Sequence, residues 1–98
     1  MHIITQTKLR AFGKAYPDAD GPLRVWETLM RSRKFKNPHE VKSVFSGVDF
    51  IGRNKTVFDI GGNKYRLVTK MMYKWGKVLV RDVYTHKEYD RLCALGLL

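Results

Sequence analysis

An arginine and a histidine side chain can together cleave a phosphodiester bond, and the candidates in this chain are Arg66 and His86. Arg66 is flanked by Lys64 and Lys70, two and four residues away, so an extended strand would place all three on one face. A guanidinium there can hold a phosphate in bidentate fashion and stabilise the charge that develops during phosphoryl transfer. The alternative is the solvated face of an ordinary antiparallel sheet, where Lys and Arg are common.

His86 and Tyr89 form a second group of residues whose types are suited to catalysis. Thr85 and Glu88 have capping-box spacing, which predicts that a terminal helix begins at His86. At a helix N-terminus the dipole attracts anions and favours the neutral imidazole, which can act in acid–base catalysis. Tyr89 follows three residues later on the same helix face. The same pattern also fits a surface His beside a core Tyr.

The sequence as a whole is strongly basic. Its 98 residues include 19 Lys and Arg against 9 Asp and Glu, a formal net charge of +10. Such an excess on one small domain favours a polyanionic partner, either RNA, DNA or an acidic protein. A basic surface without a partner is the alternative. The candidate RNA-binding residues are Arg33, Lys34, Lys36, Lys55, Lys64, Lys70 and Arg81.

Four of these candidates, Arg33, Lys34, Lys36 and Lys55, have structural explanations as well. Arg31–Lys36 carries four positive charges in six residues, and cations near a helix C-terminus stabilise it through the dipole. Four charges exceed what that role requires, so contact with nucleic acid or a ribosome is an equal alternative. Lys55 is a second candidate cation, but an edge lysine that discourages sheet pairing is the simpler explanation for it.

Composition excludes several classes of protein. Cys93 is the only cysteine, so no internal disulfide can form and a reducing compartment, the cytoplasm, is expected. His2, His39 and His86 are too far apart to give a metal-ligand spacing, and neither a metal nor another cofactor is predicted. No apolar run approaches the roughly 18 residues of a membrane span. The run His2–Thr5 at the start of the chain is too short for the core of a signal peptide.

Helices are predicted first along the chain. After a short strand at 2–5, apolar residues recur at helical spacing, with Thr5 or Thr7 as the cap and Pro17 as the stop. A second helix is predicted to begin after Asp20-Gly21-Pro22, and one short helical turn is predicted at 39–45. The buried stripe of the second helix consists of Leu23, Trp26, Leu29 and Met30.

Strands are predicted from Val48 onward. Gly61-Gly62-Asn63 is a hairpin turn signal between alternating strands at 56–60 and 64–73. The last strand, 77–85, alternates poorly, which a bulge near Arg81-Asp82 would explain. The prediction is a single domain, residues 1–98, of the α+β class. Two N-terminal helices pack on a small antiparallel sheet, and a short C-terminal helix follows.

Three segments resemble the HigB toxins, a branch of the RelE-like mRNA interferases of type II toxin–antitoxin systems. They are Met1–Thr5, Val57–Val68 and Tyr84–Asp90, and the resemblance extends over nearly the whole chain. It implies a compact fold similar to that of the microbial RNases. It also implies metal-independent cleavage of mRNA in the ribosomal A site, with the 2′-hydroxyl as nucleophile.

The resemblance also implies roles and partners. Arg66 would stabilise the phosphate and the transition state, His86 would be the general base or acid, and Tyr89 would assist it. A cognate helix-turn-helix antitoxin of the HigA type would neutralise the toxin in a heterotetramer. Two alternatives to the toxin are a non-catalytic RNA- or DNA-binding module, and a partner-binding domain whose interface is the apolar tail Leu92–Leu98.

Overall fold

The computed structural model describes all 98 residues as four α-helices and a five-stranded sheet. The α+β class and the predicted order of helices, hairpin and terminal helix are confirmed. The elements are β1 (His2–Ile4), α1 (Thr7–Ala15), α2 (Pro17–Ser32), α3 (Pro38–Val44), β2 (Asp49–Ile51), β3 (Lys55–Ile60), β4 (Tyr65–Met72), a 3-10 turn (Tyr73–Trp75), β5 (Lys77–Thr85) and α4 (His86–Ala94).

The sheet is mixed, with the strand order β1-β5-β4-β3-β2. β2 to β5 are antiparallel neighbours, as the hairpin signals predict. β1 instead pairs in parallel with β5, after the chain has passed through α1 to α3 and β2 to β4. None of the helices has the length and apolarity that crossing a membrane requires.

The main core lies between α1, α2 and one face of the sheet. Leu23, Trp26 and Met30 of the predicted stripe are buried there, whereas Leu29 is only partly buried. They pack with Phe58 and Leu67 in one apolar cluster. The predicted alternation of the two hairpin strands is confirmed, since Val57 and Val68 belong to a separate cluster on the opposite face.

The first two helices begin differently from the prediction. α2 starts at Pro17, which occupies the first helical position that proline favours. Pro17 therefore ends α1 and also begins α2, and Pro22 lies inside the helix. Neither Thr5 nor Thr7 caps α1, because Gln6 occupies the cap position and no side-chain cap bond forms.

The predicted bulge in β5 is confirmed and decides which face its second half presents. Val68 pairs with Asp82 and Thr69 with Val80, so Arg81 has no partner across the ladder. One extra residue reverses the alternation of the strand beyond it. Tyr84, which would otherwise share the face of Val80, therefore points to the same face as Arg66.

That second face is covered by α4. Tyr89 packs with Val57 and Val68 in a small buried cluster, and Leu98 is partly buried against it. The apolar tail therefore docks in part on the domain. Leu95 and Leu97 remain 64% and 65% exposed.

Candidate active site

Arg66 lies in a row of three residues that crosses the three central strands close to the β3–β4 turn, at one end of the sheet. The β3–β4 hairpin closes with Ile60 opposite Tyr65, after a turn in which Gly61 and Gly62 have positive φ angles of 64° and 72°. Glycine adopts this left-handed conformation without steric cost. The turn thereby sets the register that places Asp59 opposite Arg66 on one side, and Tyr84 faces Arg66 from β5 on the other.

The guanidinium of Arg66 is held in place from two directions. Its Nε lies 3.3 Å from Asp59 Oδ1, and the side chain is only 13% exposed. Its Nη2 donates to Asn63 Oδ1 at 2.7 Å, and its Nη1 donates to the backbone oxygen of Asn63 at 3.2 Å. A partly buried guanidinium with fixed partners loses little side-chain freedom when it meets a phosphate.

Tyr89 lies against the same guanidinium. The carbon at the centre of the Arg66 guanidinium is 5.9 Å from the centroid of the Tyr89 ring, within the range of a cation–π contact. Burial, aided by the neighbouring Cys93 thiol, raises the pKa of Tyr89 to about 12, although Arg66 acts in the opposite direction. At neutral pH the hydroxyl therefore keeps its proton, so it can donate a hydrogen bond but cannot act as a base.

His86 is the first residue of α4, as predicted. Its backbone N–H donates to the Lys64 carbonyl at 2.9 Å, which ties the start of α4 to the chain two residues before Arg66. The Thr85 hydroxyl accepts from the Glu88 N–H at 3.2 Å, which confirms the predicted cap. The imidazole is 43% exposed, so a substrate can reach it.

Asp90 holds the imidazole of His86 from one side. The His86 Nδ1 lies 2.7 Å from Asp90 Oδ2. A carboxylate at one ring nitrogen orients the imidazole and leaves the other nitrogen, here Nε2, available for proton transfer. This pair stands one helical turn apart on α4, a spacing at which side chains meet.

The predicted catalytic residues therefore lie at one end of the sheet. Arg66 and Tyr89 are in contact, and His86 lies one helical turn from Tyr89 on α4. Lys64 lies at the same end, but its ammonium is paired with Asp18 at 3.2 Å. Whether these side chains act on one phosphate remains a prediction.

Most of the predicted RNA-binding residues lie elsewhere. Lys55 and Lys70 are four residues along their strands from Asp59 and Arg66, a separation of roughly 13 Å at the rise of a strand. Lys34 packs near Gly76, at the far end of β5, and Arg33 and Lys36 flank it in sequence. Arg81 is exposed at the bulge.

Asp59 and Asn63 are two site residues that the sequence analysis did not select. Their signal was present in the hairpin itself. Gly61-Gly62-Asn63 predicts a tight turn, and counting back from such a turn pairs the acidic residue of β3 with the arginine of β4. The structure brings together no three His, Cys, Asp or Glu side chains that could hold a metal ion.

The chain is similar to known proteins over most of its length. The profile of the HigB toxin family, described as the RelE-like toxic component of a toxin–antitoxin system, matches residues 19–92. The mRNA interferase toxin HigB of Escherichia coli K12 is 34% identical over 98 residues, which cover 97% of this chain and 93% of that protein.

A second relative gives a similar result. The mRNA interferase HigB of Escherichia coli O6:H1 is 30% identical over 94 residues, which cover 94% of this chain and 91% of that protein. Both relatives match along almost their entire length, and the family profile spans most of the domain, including Arg66 and His86. The chain belongs to the HigB family of RelE-like toxins.

Proposed function

We propose that this protein is a cytoplasmic, ribosome-dependent endoribonuclease toxin that cleaves mRNA during translation without a metal ion. Its relatives are named mRNA interferases, and the chain belongs to their family. The observation that carries the proposal is the placement of Arg66 and His86. Both lie at one end of the sheet, and the hydrogen bond from the His86 N–H to the Lys64 carbonyl joins the start of α4 to the start of β4.

The reaction that suits this pair is transfer of the phosphoryl group to the neighbouring 2′-hydroxyl. His86 accepts the proton of that hydroxyl, whose oxygen then bonds to phosphorus. The bond from phosphorus to the 5′-oxygen of the next nucleotide breaks, and that oxygen takes up a proton from water, while His86 returns the proton it accepted to the solvent. The products are a 2′,3′-cyclic phosphate and a 5′-hydroxyl. Arg66 stabilises the negative charge that grows on the phosphoryl oxygens.

Dependence on the ribosome is supported by the state of Arg66. Most of its N–H groups are occupied by Asn63 and Asp59, so a free RNA must compete with these partners for the guanidinium. A ribosome that presents mRNA in a fixed orientation lowers the entropic cost of that exchange. The net charge of +10 supports docking on ribosomal RNA.

The neutralising partner in this proposal is a helix-turn-helix antitoxin of the HigA type, in a heterotetramer with the toxin. Family membership supports a cognate antitoxin as such, since the family is the toxic component of a toxin–antitoxin system. Co-expression of the neighbouring reading frame, followed by measurement of the mass of the purified complex, tests both the partner and the stoichiometry.

One observation favours an alternative, a non-catalytic RNA-binding module. Arg66 makes three hydrogen bonds and an ion pair within the protein, and a purely structural arginine would do the same. Mapping of transcript ends in a translating extract separates the two functions. New 5′-hydroxyl ends support the toxin, and intact transcripts with bound protein support the module.

The decisive variants have matched controls in the chain. We expect Arg66→Ala and His86→Ala each to slow cleavage by about 100-fold or more while the protein stays folded. Arg24→Ala and His39→Ala remove exposed residues of the same types away from the site, and they should cleave as the wild type does. If both site variants are folded and cleave normally, the assignment of the site is wrong.

A further inference from the structure

A cavity lies at the opposite end of the sheet from His86. Its volume is about 490 Å³, and it opens beside the turn that joins β2 to β3. Thr56, Met71 and Tyr73 form its more buried lining, while Phe50 and Arg53 are exposed at its edge. The cavity shares no lining residue with the Arg66 row.

The charge of this cavity favours an anion. Arg53 and Lys55 both line it, and no Asp or Glu is among its lining residues. Neither cation forms an ion pair within the protein, in contrast to Lys64 and Arg66. Two unpaired cations beside one concave surface attract a phosphate group without first having to give up a carboxylate.

An exposed aromatic ring stands beside these cations. Phe50 lies on the edge strand β2 and is 43% exposed, although its ring is large and apolar. A cationic groove with an accessible aromatic face is the arrangement by which proteins bind single-stranded nucleic acids. The base stacks on the ring while the cations follow the backbone.

We propose that this cavity is a second RNA subsite, which binds one nucleotide of a single-stranded RNA. The base stacks on Phe50, and Arg53 with Lys55 neutralises the adjacent phosphate. Phe50 pairs with Thr56 and so shares the face of the sheet that carries Phe58, whereas Arg66 lies on the opposite face. The subsite is therefore separate from the Arg66 row, roughly 13 Å from it along β3. The choice of RNA as ligand rests on the proposed function.

The test is direct binding of a fluorescently labelled, single-stranded 2′-O-methyl oligoadenylate, which lacks the nucleophile and cannot be cleaved. Phe50→Ala should weaken binding about 5- to 150-fold, as expected for loss of one stacked base. Phe50→Trp should restore most of the affinity, because it keeps an aromatic face. Arg53→Gln should reduce the slope of log K against log salt by about 0.7.

Val25→Ala and Lys14→Gln are the matched controls, since both side chains are exposed and lie outside the cavity. Both should bind as the wild type does. The proposal is overturned if Phe50→Ala and Arg53→Gln, shown to be folded by thermal melting, bind like the controls. Equal affinity for a duplex of the same sequence would also overturn it, because paired bases cannot stack on Phe50.

The subsite and the proposed function can fail separately. Normal cleavage that depends on Arg66, together with unchanged binding in the cavity variants, overturns the subsite alone. Weakened oligonucleotide binding in the cavity variants supports the subsite, even where the wild type leaves transcripts in a translating extract intact. That second outcome would overturn the toxin reaction and not the subsite.

Discussion

Arg66 has more partners within the protein than a surface arginine needs. Asp59 neutralises part of its charge, Asn63 occupies two of its donors and Tyr89 lies against its plane. These contacts orient the guanidinium before substrate arrives, which is the condition for effective electrostatic catalysis. They also require the fork geometry that only arginine has.

We expect Arg66→Lys to lose about as much cleavage as Arg66→Ala, roughly 100- to 1000-fold, the usual cost of removing one transition-state donor. A lysine ammonium keeps the charge but cannot reach Asp59, Asn63 and a phosphate together. The measurement is the initial rate of transcript cleavage in a translating extract, with Arg24→Lys as the control. A wild-type rate in Arg66→Lys would show that charge alone suffices.

Tyr89 should make the protein sensitive to alkaline pH. Its folded-state pKa of about 12 lies above the ordinary value of 10.0, so the folded chain holds this proton more tightly than the unfolded chain. The stabilisation is complete below pH 10 and is lost as the pH rises from about 10 to 12. Tyr89→Phe should flatten the fall in unfolding free energy over this range.

Denaturant unfolding at a series of alkaline pH values measures the effect. The comparison must be made between the two proteins, because Tyr65 also has a pKa of about 12, raised chiefly by its hydrogen bond to Asp18. Parallel curves for wild type and Tyr89→Phe would show that the Tyr89 hydroxyl does not contribute.

Among the elements, α4 is the one that completes the site. It carries His86, Tyr89 and Asp90, and it rests on the sheet through a small cluster with Val57 and Val68. Its position therefore depends on its N-terminal cap as well as on packing. The β5 bulge contributes on the other side, because it directs Tyr84 to the face of Arg66.

Thr85→Ala should lower the free energy of unfolding by about 1 kcal/mol, the typical value of an N-cap side chain. The loss follows from the hydrogen bond between the Thr85 hydroxyl and the Glu88 N–H. Thr7→Ala is the matched control, since Thr7 begins α1 without capping it. Equal stability of the two variants in denaturant unfolding would contradict a capping role for Thr85.

Across the whole molecule, cations without a carboxylate partner lie at both ends of the sheet. Arg66 and Lys64, near His86, are paired with Asp59 and Asp18. Lys87 and Arg91, on the helix that begins at His86, form no ion pair. The same holds for Arg33, Lys34, Arg53 and Lys55, towards the other end of the sheet.

Reversing Arg33, Lys34 and Lys36 to Glu should weaken RNA binding strongly at low salt. If each residue contacts one phosphate, the slope of log K against log salt should fall by about two. Stability should change little, because all three side chains are exposed. The control is the same reversal at Lys14, Lys42 and Arg91, which alters the net charge equally. Identical salt slopes for both triple variants would mean that only total charge matters.

Local patterns in the sequence determined much of this protein. The buried stripe of α2, the glycine turn before Arg66, the bulge in β5 and the helix start at His86 all follow from neighbours a few residues apart. Such features depend on backbone sterics, hydrophobic periodicity and capping, which act over one turn of chain. The catalytic roles of Arg66, His86 and Tyr89 stay predictions based on residue type and resemblance.

Only the tertiary structure decided the surroundings of those residues. It paired β1 with β5 in parallel, brought Tyr89 of α4 against Arg66, and carried Arg33, Lys34 and Lys36 to the far end of the sheet. These outcomes depend on strand order, register and the packing of α4, which join residues distant in sequence. No local pattern specifies them, because their free energy arises only when the whole sheet is assembled.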